Sequence, residues 1–143
     1  MREVSYGSCI DADTLDNDLA PSRLTIATAW IAARQARNRV LDSSLFADPA
    51  WDMLLDLYVC YAEDKRETVS DACVASSVPA TTALRWIGIL ESRKLVVRAR
   101  DPKDKRRTFL SLTPEGVSKM DEALDAAGAS DARLGLGRLR VVR

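Results

Sequence analysis

Histidine is absent from the 143 residues. This removes both the commonest metal ligand and the usual general base, so neither a Ser-His-Asp nor a Cys-His catalytic arrangement can be built. Cysteine is scarce: Cys9, Cys60 and Cys73 are odd in number, widely spaced and without a C-x-x-C pair. That argues against a disulfide scaffold and a zinc site, fits a reducing compartment, and makes Cys60 and Cys73 small buried hydrophobes. No apolar run approaches the roughly 18 residues of a membrane span. Residues Met1–Ser5 lack the apolar core of a secretory signal, so a cytoplasmic protein without membrane contact is expected. The phosphate-cradling patterns G-x-x-x-x-G-K-[ST] and G-x-G-x-x-G are missing. Glu63-Asp64 and Asp121-Glu122 read as helix-end and helix-surface charges rather than a catalytic pair. No catalytic residue, metal ligand or cofactor is expected.

Net charge is missing too, with 21 basic side chains against 21 acidic ones. The distribution is informative where the sum is not. Asp11, Asp13, Asp16 and Asp18 stand without a basic partner, so residues 1–21 read as a flexible acidic arm. Residues 93–107 hold eight basic side chains against Asp101 and Asp104, a local charge of +6. The length and the 47% apolar content suit one domain with a core of its own.

Periodicity predicts a mainly α fold with a small β-hairpin. Ile26, Trp30, Ala33, Ala36 and Val40 recur at steps of three and four over 22–42, which is helical spacing. Asp48-Pro49 opens a second helix with a side-chain acceptor and a proline at its first position. Trp51, Leu54, Leu55 and Tyr58 form its apolar face, and it ends by Asp64, before a polar loop at Lys65-Arg66-Glu67. Ser70 caps a short helix, Asp71 to Ser76, and the restricted backbone at Val78-Pro79 marks a tight turn. A helix over 80–93 turns Ala83, Leu84, Ile87 and Leu90 inward, with Gly88 inside it at a cost of about 1 kcal/mol relative to alanine, assigned to close backbone packing. Leu95–Arg100 and Thr108–Leu112 read as strands joined by a charged tip. Thr113-Pro114-Glu115 starts a last helix that ends at Gly128. Residues 129–143, with Arg138, Arg140 and Arg143, lack a period and read as a disordered basic tail.

Two helices across a short turn form a helix-turn-helix, and a following hairpin makes it winged. Cys73 is small where the two helices cross. Ser77 occupies a turn position that often holds glycine, so the turn forms without glycine's freedom at positive φ. The second helix of such a motif enters the DNA major groove. Thr81, Thr82 and Arg85 lie in its first turn and a half, and Arg85 can bond two acceptors of a guanine. Lys103, Lys105, Arg106 and Arg107 make the wing basic, as a surface beside phosphates or in a minor groove requires. The alternative is a winged-helix protein–protein module that does not read DNA, although such a module has no need of a basic wing.

The segments Leu90-Glu91 to Leu95-Val96, Asp104-Lys105-Arg106-Arg107 and Leu112-Thr113-Pro114-Glu115-Gly116 resemble the multiple-antibiotic-resistance-regulator (MarR) family of winged-helix transcription factors. The resemblance covers about residues 45–125. It implies a homodimer on pseudo-palindromic double-stranded DNA, a small-molecule effector, DNA contacts at Thr81, Thr82 and Arg85, and a wing braced by Asp104 pairing with a nearby arginine. Members dimerise through their N- and C-terminal helices. With the last helix ending at Gly128, Ile26, Trp30 and Ala33 of the added N-terminal helix are expected at the dimer interface. The expected domain is therefore 22–128, a winged helix-turn-helix with flanking dimerisation helices.

Overall fold

Ser22 caps the first helix of the computed structural model, which describes residues 22–134, with side chains through residue 130. Its Oγ accepts from the Thr25 amide at 3.1 Å, satisfying a free N–H at the helix start. Helix α1 spans Arg23–Val40, and a 3-10 turn at Ser43–Leu45 leads to α2, Pro49–Ala62. Strand β1 is Glu67–Thr68, α3 is Val69–Ala75 and α4 is Ala80–Ser92. Strands β2, Val96–Arg100, and β3, Thr108–Leu112, precede α5, Pro114–Leu134. The antiparallel sheet runs β1-β3-β2, with Arg98 opposite Leu110 and Glu67 opposite the same residue on the other side. Among the described residues, no single helix is long and apolar enough to cross a membrane.

Helix α2 is the centre of the fold because it carries two apolar faces. Met53 and Leu57 join Ala72, Ile87, Leu90, Val96 and Leu110 in one buried cluster. Leu55 and Tyr58 join Ala27, Met120 and Leu124 in another. Each large aliphatic side chain removed from water there contributes about 1.5–3 kcal/mol. The second cluster is closed by polar ties. Tyr58 Oη donates to Asp121 Oδ1 at 2.6 Å, and Arg23 donates to both oxygens of Asp125 at 2.9 and 3.0 Å. Burial, then the bond to Asp121, pushes the Tyr58 hydroxyl up to about 12. The arginine holds Asp125 below the usual carboxylate range.

Four local expectations need correction. The inner face of α1 is Ala27 and Ile31, flanked by Ile26, while Trp30, Ala33, Ala36 and Val40 are exposed. The next inward position is Arg34, which pairs with Asp52 and Asp48 of the α2 start, so a charged residue interrupts the apolar signal. Asp48, which faces Arg34 at 3.8 Å, makes no side-chain cap. The cap of α3 is Thr68 rather than Ser70: pairing opposite Phe109 holds Thr68 extended, and its Oγ1 accepts from Asp71 N at 3.1 Å. Finally, Gly128 does not end α5, which continues to Leu134. A Cβ at Gly128 would lie 2.8 Å from Ile26 Cδ1, so this glycine seats α1 against α5 instead of stopping a helix. The segment 129–134 is thereby helical, and the remainder of the expected tail, like the acidic arm at 1–21, lies outside the described residues.

Candidate nucleic-acid interface

The turn between α3 and α4 changes the chain direction by 109°, within the range of helix-turn-helix pairs. Small residues permit the crossing: Ala72 of α3 and Ala83 of α4 are fully buried. Ser76 is buried in the turn, where its hydroxyl donates to the Cys73 carbonyl at 2.6 Å. Ser77 follows with φ at 62°, the left-handed conformation that glycine adopts without strain.

On α4 the inward stripe is Ala83, Ile87 and Leu90, with Trp86 half-buried. Thr81 and Arg85 are exposed, one turn apart on the outer face, and Thr82 is half-buried. Arg85 makes no ion pair among the described residues, so its guanidinium keeps all its donors for an external acceptor. Leu84, expected inward, is 43% exposed. It lies a full 100° round the helix from Ala83, on the side of Thr81 and Arg85. The strict α4 stripe needs only every third or fourth residue, so the extra leucine is available to the outer surface. Gly88 is also corrected: a Cβ there would meet nothing within 4 Å, so close packing is not its reason.

The wing is built from two successive aspartate turns. Asp101 Oδ1 accepts from Lys103 N at 2.8 Å, and Asp104 Oδ1 accepts from Arg106 N at 3.0 Å. Aspartate commonly closes turns by bonding the amide two residues on. Asp104 also takes the Arg106 guanidinium at 3.2 Å, but that arginine is 91% exposed. The buried carboxylate is Asp101, which sequence reasoning missed as a brace. It accepts from Arg107 Nε at 3.2 Å, while its amide donates to the Arg107 carbonyl at 3.0 Å. Backbone bonding from Lys103, followed by Arg107, lowers its carboxyl below the usual range. Arg107 also lies over the Phe109 ring, as does Arg66, so its head is held at the wing root. Lys103, Lys105 and Arg106 project from the tip. Arg106, Arg107 and Arg98 line one groove of about 400 Å³ with Thr68, Ser70 and Thr108.

The T-P-E-G segment locks the hairpin to α5. Thr113 Oγ1 donates to the Lys94 carbonyl at 2.6 Å and accepts from Gly116 N at 2.9 Å. Thr113 N donates to the Leu95 carbonyl at 3.0 Å. A Cβ on Gly116 would fall 2.1 Å from that same carbonyl oxygen, so only glycine fits. The strand entry and the last helix start are thus one joint.

The family described as a winged helix DNA-binding domain matches residues 51–116. No curated protein matches the chain significantly. Among solved structures, the chain is similar to Staphylococcus aureus MepR in its DNA-binding conformation, at 21% identity and a TM-score of 0.53, covering 73% of this chain and 74% of that one. A second MepR structure, described as a transcription regulator of the multidrug efflux pump MepA, aligns at 18% identity and 0.52 over 94% and 84% of the two chains. AF1382 of Archaeoglobus fulgidus aligns at 16% identity and 0.53 over 66% and 97%. Residues 51–116 therefore match a winged helix DNA-binding domain, and the chain shares the fold of these solved structures.

Proposed function

We propose that the protein is a transcriptional regulator that binds double-stranded DNA as a homodimer and occludes a pseudo-palindromic promoter site. The observation that carries the reading is the combination of Arg85, without an ion pair among the described residues on the outer face of α4, with a wing whose tip presents Lys103, Lys105 and Arg106. A major-groove helix needs side chains that reach base edges, and Thr81, Thr82, Leu84 and Arg85 supply hydroxyls, a methyl-contacting surface and a bidentate donor. The groove lined by Arg98, Arg106 and Arg107, each also paired with an acid (Glu91, Asp104 and Asp101), lies beside the wing where a backbone phosphate would pass. Asp101 and Asp104 fix the tip so that its cations are delivered from an ordered turn rather than a mobile loop.

The test is a fluorescence-anisotropy titration with mixed genomic fragments at two salt concentrations. Binding that weakens steeply with salt, with a tighter subset of fragments, supports the reading. Arg85→Ala should cost about 1–3 kcal/mol on that subset and relax base preference, whereas Arg106→Ala should weaken all fragments alike and reduce the salt slope by about 1. Equal loss on every fragment for Arg85→Ala would remove the base-contact role. No binding at low salt would favour a protein-interaction module.

A further inference from the structure

Among the described residues, one buried side-chain oxygen or nitrogen has no hydrogen-bond partner: Glu67 Oε2. The residue is only 8% exposed. Its other oxygen has a single long contact, from Cys60 Sγ at 3.5 Å. A buried carboxylate oxygen left unpaired is costly, and native folds supply a partner for nearly all such atoms. Cys60 lies on α2 one turn after Asp56, so their side chains share a face. One ligand atom from each of Asp56, Cys60 and Glu67 lies within 4.8 Å of the other two. As anions these groups repel. Burial, then Asp71, raises the Asp56 carboxyl, and burial, then Asp56, raises the Cys60 thiol.

We propose that Asp56, Cys60 and Glu67 bind a zinc-class divalent cation, through the Cys60 sulfur and one oxygen of each carboxylate. Thiolate sulfur with carboxylate oxygen suits Zn²⁺ or Co²⁺, whereas Mg²⁺ and Ca²⁺ take all-oxygen shells of six or more ligands. Binding forms a metal–sulfur bond, the thiol proton leaves to solvent, and no electron is transferred. A cavity of about 430 Å³ reaches Cys60 and Glu67, though not Asp56, past Asp64 and the cations Lys65, Arg66 and Arg100, and gives the ion a route in and a fourth position for water. The cation neutralises the converging acids and gives the Glu67 carboxylate a partner that it lacks among the described residues. It also ties α2, the central helix, to β1, the strand that pairs with β3 of the wing hairpin. The site stands independently of DNA binding.

Titration of Co²⁺ into the reduced full-length chain tests the site, because a thiolate bound to cobalt gives a charge-transfer band in the near ultraviolet. One equivalent should saturate the band, and Zn²⁺ should abolish it. The band should persist in a Cys9→Ser/Cys73→Ser variant and vanish in Cys60→Ser. Glu67→Gln keeps the shape of the side chain while removing its charge. It should weaken Co²⁺ binding by at least about tenfold, a loss that even outer-shell partners produce. Circular dichroism checks that each variant is folded, and if Cys60→Ser unfolds, the Glu67→Gln titration decides. No band in the parent chain, a band that survives Cys60→Ser, or unchanged binding in Glu67→Gln would overturn the proposal.

Discussion

Glycine and serine are placed in this chain with a consequence for stability that can be measured. Ser77 holds φ at 62° without being glycine, and a β-carbon in that conformation costs roughly 1–2 kcal/mol. Gly88 occupies a helix interior where a β-carbon would touch nothing, and glycine there costs about 1 kcal/mol relative to alanine. Ser77→Gly and Gly88→Ala should therefore each stabilise the domain by about 0.5–1 kcal/mol, nearly additively, in urea denaturation. Ser77→Gly should not alter DNA affinity beyond that, because Ser77 lies in the turn before α4; Gly88 lies three residues after Arg85 and seven after Thr81, on their face of α4, so Gly88→Ala is judged by stability alone. Gly116 is the opposite case. Its α-hydrogen faces the Leu95 carbonyl oxygen at a separation no Cβ can share, so Gly116→Ala must open the joint between β2 and α5. The expected loss is about 2–4 kcal/mol, the scale of core overpacking and a broken cap together. A Gly116→Ala variant as stable as its parent would mean that α5 starts differently from the bonds described.

Elements were legible where the residue pattern is local and illegible where it is not. The order helix, short helix, turn, helix, strand, wing, strand, helix follows from spacing, caps and proline, and the signals at Val78-Pro79 and Thr113-Pro114 fall where α4 and α5 begin. Strand β1 was read as loop because two residues carry no period, and its identity comes from pairing with Leu110 and Phe109 more than forty positions away. The inner stripe of α1 was misread because Arg34 stands in it, stabilised by acids on another helix. The proximity of Asp56, Cys60 and Glu67 is not legible in the sequence for the same reason: Asp56 and Cys60 share a helix, but Glu67 reaches them only through the fold. The wing shows the mixed case. Its basic character and Asp104 are plain in sequence, yet Asp101 carries the buried brace because Pro102 and the strand end turn it inward. The Asp101 carboxyl is lowered in the fold, so its contribution is complete above the ordinary aspartate range and is lost as pH falls through the lower folded value. Hydrogen exchange at the Lys103 amide should accordingly remain protected, relative to Asp101→Ala, down through pH 4 and lose that advantage only in stronger acid. Loss of the advantage already near pH 6 would assign the protection to another group. Asp101→Ala should also weaken DNA binding without changing which fragments bind best.

At the scale of the whole molecule, one domain presents one recognition helix, and a pseudo-palindromic site needs two, about 34–36 Å apart for successive major grooves on one face of the duplex. A two-fold pair supplies that spacing if it forms through a surface distant from α4. The outward side of α1 has the composition for it. Trp30 is 40% exposed although its ring packs edge-on against Trp51 at 6.0 Å, and Val40, Leu41 and Leu45 continue the apolar surface past the helix end. Ala33 is exposed near Trp30, one turn on, and its small side chain lets a partner helix approach closely. Ile26 is half-buried against the Gly128 seat of α5, so it couples that surface to the second flanking helix rather than offering itself freely. Ala33→Glu adds a charge at the centre of the proposed contact without touching either core cluster. In sedimentation analysis it should shift the protein from dimer to monomer while its melting transition at fixed low concentration stays within a few degrees of the parent monomer. Its affinity for an isolated half-site should be unchanged, and its affinity for the full palindrome should fall toward the half-site value, because the second helix no longer arrives at the effective concentration that dimerisation provides. Full palindrome affinity in a monomeric Ala33→Glu protein would show that the two half-sites are filled independently. A variant that remains dimeric would move the interface away from α1, leaving the length of α5 beyond Gly128 as the surface to substitute next.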